Sequence, residues 1–88
     1  MFDPRAQLED DQRLTSWLGQ MYRSDVLGVG DHSGVTKIVK ERLEADQRLR
    51  QAADRRITEL EPICSSRDQK SAFIEHKQLE YLRKVTAP

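Results

Sequence analysis

The chain has 88 residues, with Lys plus Arg equal to Asp plus Glu at 15 each, so its formal net charge is zero. That size suits one domain with a modest core, and the charge balance argues against both a strongly basic nucleic-acid binder and an acidic nucleic-acid mimic. Apolar residues make up 36% and charged residues 34%, a shift toward surface that long helices with narrow apolar faces, or burial against a partner, would account for.

The single cysteine, Cys64, precludes an internal disulfide and a four-cysteine zinc site and suits a reducing compartment. The start Met1-Phe2-Asp3-Pro4-Arg5 lacks the basic-then-apolar pattern of a secretory signal, and no apolar run approaches the roughly 20 residues of a membrane span. The expectation is a soluble, cytoplasmic, all-α protein with one domain over residues 1–88.

Asp3-Pro4 is a helix start, because the aspartate can accept from free first-turn amides and proline tolerates the first helical position. A first helix over about residues 4–23 follows, with Leu14, Trp17, Leu18 and Met21 at i, i+3, i+4 and i+7, and Leu8 and Tyr22 extending that face. Residues 24–33, with Gly28 and Gly30, break the period and predict a loop.

A second helix is predicted over about 34–60, capped by Asp31 or Ser33 and stopped by Pro62. Its stripe is Val35, Ile38, Val39, Leu43, Leu49, Ala53, Ile57 and Leu60, interrupted at Asp46. Ser66 and Gln69 fit a capping box opening a third helix over about 67–84, with Phe73, Ile74, Tyr81, Leu82 and Val85 apolar and Lys70, Lys77, Arg83 and Lys84 cationic. The pattern therefore predicts a three-helix bundle, or an extended helical hairpin, around a long central helix of about 40 Å.

No motif carries catalysis. Asp31-His32-Ser33 holds the residue types of a hydrolytic triad, but neighbours in a chain point apart and triads assemble from distant segments. The run from Gly28 to Gly34 ahead of a helix resembles a phosphate-cradling loop only superficially, since the Gly-Lys-Ser/Thr step is missing and Lys37 does not replace it. Cys64, His76 and either Glu75 or Glu80 make an incomplete zinc set, and His76 with Glu80 reads more simply as a surface pair. Neither a catalytic residue nor a metal or cofactor site is expected.

Function is expected to rest on protein contact. The second helix interleaves Lys37, Lys40, Arg42, Arg48, Arg50, Arg55 and Arg56 with acids at helical pairing distance, which reads first as a solvated face. As one helix it is too long for its neighbours to cover, so its carboxyl-terminal half, Leu49, Arg50, Ala53, Arg56 and Leu60, is the expected interface with another protein or a second copy. Trp17, Tyr22, Phe73 and Tyr81 read as core, or as a binding hot spot if they are exposed together. The leading expectation is a noncatalytic assembly subunit, adaptor or small inhibitor, with viral or mobile-element origin an association only. The alternative is a small nucleic-acid-binding regulator using the basic groups of the second helix.

Overall fold

The computed structural model describes residues 3–88; Met1 and Phe2, on which the reading of the amino terminus partly rests, lie outside the described residues. The chain is all-α: α1 (Pro4–Val26), α2 (His32–Ala45), α3 (Gln47–Ser66) and α4 (Phe73–Thr86), with no strand among the described residues. Every helix touches the other three. No helix is long and apolar enough to cross a membrane among the described residues.

The first helix starts as its sequence predicts. Asp3 sits at the N-cap and accepts from the Arg5 amide at 3.0 Å, while Pro4 occupies the first turn. The helix runs three residues past Arg23, and the Arg23 carbonyl then accepts from both the Leu27 and Val29 amides. Gly28, at φ 67°, makes the left-handed turn that ends it.

The predicted central helix is two helices. Asp46 has extended backbone, φ −126° and ψ 102°, and acts at once as C-cap of α2 and N-cap of α3. Its amide donates to the Arg42 carbonyl at 3.0 Å, and its carboxylate accepts from the Arg48 and Leu49 amides at 3.1 and 3.2 Å. A short acidic side chain that bonds forward amides stabilises a new helix start better than it stabilises a helix interior. The turn lets α3 fold back against α1, α2 and α4, so the expected helix of about 40 Å that its neighbours cannot cover does not form. At the other end Pro62 lies inside α3, which continues to Ser66.

Ser66 closes α3, so it opens no capping box. Residues 67–72 form a turn in which Asp68 accepts from both the amide and the hydroxyl of Ser71, at 2.7 and 2.6 Å. These bonds hold the Asp68 carboxyl below its ordinary range, with the Ser71 hydroxyl the largest contributor. The fourth helix begins at Phe73, six residues later than the spacing predicts.

The core joins Leu14, Leu18 and Met21 of α1, Val39 and Leu43 of α2, Leu49, Ala52, Ala53 and Leu60 of α3, and Leu79, Tyr81, Leu82 and Val85 of α4. Trp17, Tyr22, Val35, Ile57 and Cys64 pack on its margin, half-buried. A polar clamp backs the α2–α3 corner: the nearly buried Asp10 carboxylate meets Arg48 Nε at 3.3 Å, and Arg13 reaches Asp46 at 3.6 Å.

Candidate functional site

The residues expected to meet another chain lie mostly inside this one. Leu49, Ala53 and Leu60 are fully buried in the core. Arg50 donates to the Thr86 carbonyl at 3.1 Å and faces Asp54 at 3.5 Å, and Arg56 reaches Glu59 and Gln78 at 3.1 and 3.0 Å. Both arginines stitch the chain to itself. Arg48 and Arg55 are likewise matched, to Asp10 and Asp11, so four of the seven basic groups of the predicted second helix, expected to lie on a solvated face interleaved with acids, sit in internal ion pairs.

The chemical candidates stay dispersed. His32 Nδ1 lies 2.9 Å from Ser24 Oγ, which also donates to the Met21 carbonyl, and the His32 ring sits 5.8 Å from that of Tyr81. Ser33, the hydroxyl next to it in sequence, is exposed, and Asp31 folds over Gly34 instead. Cys64, His76 and Glu80 line an open cleft shared with Glu61, Arg83 and Lys84, and the His76 ring is bonded to the Ala72 carbonyl at 2.8 Å. Among the described residues no three His, Cys, Asp or Glu side chains gather as a metal would require.

One surface stands out by chemistry. Of seven large apolar side chains left exposed among the described residues, five fall in two short segments, Val26, Leu27 and Val29 after α1 and Phe73 and Ile74 at the start of α4. The fold brings the segments together. Leu27 and Ile74 line one groove between α1 and α4, and the Tyr22 and Phe73 rings meet edge to face with centroids 6.3 Å apart. Leu27 is 62% exposed and Ile74 54%.

A charged tie fixes this end of the molecule. Asp25, at the end of α1, accepts from Tyr81 at 2.7 Å and from Lys77 at 3.2 Å, both on α4. These bonds, that from Tyr81 first, hold the Asp25 carboxyl below its ordinary value. Burial, and then the bond to Asp25, push the Tyr81 phenol well up, and Asp25 raises Lys77 in turn. The Lys77 ammonium also lies 5.9 Å from the Phe73 ring centroid.

The groove itself is formed by Thr15, Leu18, Gly19, Tyr22, Arg23 and Leu27 from α1 and its end, and Ile74 and Gln78 from α4. Thr15, Gly19 and Arg23 follow one i, i+4 row, and Ile74 and Gln78 another, so the trough runs between two helical ridges. Gly19 is in mid-helix, where glycine costs about 1 kcal/mol relative to alanine. Packing among the described residues does not require it there, since a Cβ at Gly19 would have no atom within 4 Å.

The sequence marks Tyr22 and Phe73 as core or, if exposed together, as a hot spot, and Ile74 as part of the last helix's apolar side; Leu27 falls in the predicted loop, and Gly19 carries no signal. The available signal was the excess of apolar residues across 26–29, next to two glycines that stop a helix. No protein-family model, curated protein or solved structure matches this chain.

Proposed function

We propose that the chain is a noncatalytic protein-binding module, an adaptor, assembly subunit or small inhibitor, that engages its partner through the apolar end formed by Leu27, Val29, Phe73 and Ile74. The observation that carries this reading is that two exposed apolar segments 44 or more residues apart in the sequence meet, through Leu27 and Ile74, at one groove. Water-facing apolar patches of this kind mark interaction surfaces, and aromatic groups at their edge suit them to it. The partner surface is therefore the α1–α4 end, in place of the α3 residues named from the sequence.

Paired substitution of Leu27→Glu and Ile74→Glu tests this directly. Both side chains are exposed, so the helical spectrum and melting curve stay close to those of the parent. Chemical cross-linking in cells of the source organism, comparing parent and double variant, is expected to give one protein adduct that the variant loses. An adduct set that the variant leaves unchanged, or binding to DNA with a steep salt dependence, would overturn the reading.

A further inference from the structure

The groove between α1 and α4 has features that identify the kind of partner it fits. Its α1 side dips at Gly19, whose missing side chain leaves open space that no other described residue fills. Glycine at such a point lets another backbone come close. One turn along the same row stands Arg23, the only charged residue lining the groove, and it has no ion-pair partner among the described residues. Leu27 and Ile74 supply apolar contact on the two sides.

We infer that the groove receives an acidic amphipathic helix of another protein, its backbone crossing α1 at Gly19 and a carboxylate from it pairing with Arg23. This rests on the protein-binding reading above and specifies its occupant. A helix fits because the trough lies between two i, i+4 ridges, the relief into which the ridges of a third helix pack. Charge selects against a second copy: the groove contains an arginine and no acid, so groove against groove would face two cations without a counter-charge. It selects for a carboxylate, with which a guanidinium forms forked hydrogen bonds.

Two synthetic helical peptides test the inference, each about 18 residues long with a stripe of Leu and Ala, flanked by Glu in one and by Lys in the other. Titrated into the 15N-labelled protein, the Glu peptide is expected to shift the amides of Gly19, Tyr22, Arg23, Leu27 and Ile74, and to bind at least tenfold more tightly than the Lys peptide. Gly19→Ala separates the roles of the glycine, because better helix propensity raises the melting temperature of the free protein by roughly 4–8 °C while the added methyl weakens the Glu peptide at least tenfold. Arg23→Glu is expected to reverse the preference between the peptides.

Equal affinity for the two peptides, shifts confined to other surfaces, or unchanged binding by Gly19→Ala would each overturn the inference. So would a concentration-dependent dimer abolished by Arg23→Glu, which would make a second copy the occupant. If the Leu27→Glu, Ile74→Glu variant loses its cellular adduct while Gly19→Ala and Arg23→Glu keep it, the acidic-helix geometry fails and the apolar end still binds. If all three keep it, the functional reading fails as well.

Discussion

Tyr81 and Asp25 are 56 residues apart in the chain, and the phenol of one donates to the carboxylate of the other across 2.7 Å. The bond ties α4 to α1 at the end that carries the exposed apolar segments, with Lys77 as a second donor to the same oxygen. It thereby couples the ionisation of one surface carboxyl to the docking of α4 on α1.

That coupling predicts an acid sensitivity with a definite sign. Asp25 has a lower pKa folded than unfolded, so its stabilisation is fully present above the ordinary carboxyl value of 3.8 and is lost as pH falls through the lower folded value. Tyr81→Phe removes the first donor and is expected to cost about 1.5–3 kcal/mol near neutral pH, the range for hydrogen bonds to a charged group. Urea melts at pH 7 and pH 2 check this: the gap between parent and variant should narrow in acid. A gap that is the same at both values would assign the loss to packing of the ring.

The corner at Asp46 predicts a contrast between two substitutions. Asp46→Ala removes the acceptor for the Arg48 and Leu49 amides and should cost about 1 kcal/mol, within the usual range for a lost N-cap. Asp46→Asn keeps a capping oxygen and gives up only the exposed pair with Arg13, so its change should stay within about 0.5 kcal/mol. Denaturant midpoints of the two variants provide the measurement.

Within α3, burial and exposure give opposite expectations for neighbouring residues. Leu49→Ala and Leu60→Ala each open a cavity in the core and should cost about 2–5 kcal/mol. Arg56→Ala, which loses a surface ion pair with Glu59 and a bond to Gln78, should cost about 1 kcal/mol or less. If Leu49→Ala instead leaves the midpoint unmoved, α3 is not packed as described here.

The apolar end makes a prediction that needs no partner. A dye that fluoresces on apolar surface should bind the parent and lose most of its signal on the Leu27→Glu, Ile74→Glu variant, because those side chains form the groove's exposed sides. Undiminished fluorescence would place the dye-accessible surface elsewhere.

The sequence made the helical class and the face of α1 legible, since Leu14, Leu18 and Met21 fall at helical spacing and all three are buried. Trp17, on the same stripe, is only half-buried, because a stripe wider than the seam between helices leaves its edge in water. The break at Asp46 was visible as an interruption but carried no geometry: one polar residue in a stripe can as easily be an exposed helical position. Pro62 misled in the opposite direction, since tertiary packing held α3 together beyond it. Phe73 and Ile74 continued the periodicity of α4 yet lie outside the core, because periodicity reports a face and only the neighbouring helices decide how far along it burial extends. The groove was illegible for the same reason: Gly19, Leu27 and Ile74 become neighbours only through the docking of α4 on α1.

A single residue, Asp46, separates two helices whose apolar stripes would not line up in one straight helix, where Leu49 would stand about 120° round from Leu43. Straightened through that point, residues 32–66 would make one rod of about 52 Å, longer than the 40 Å greatest extent of the folded chain. Such a rod could not return its second half to its own first half, and Leu49, Ala53 and Leu60 would leave the core they share with Val39 and Leu43. The corner is thus what lets residues on both sides of Asp46 share one core, Val39 and Leu43 before it and Leu49, Ala53 and Leu60 after it.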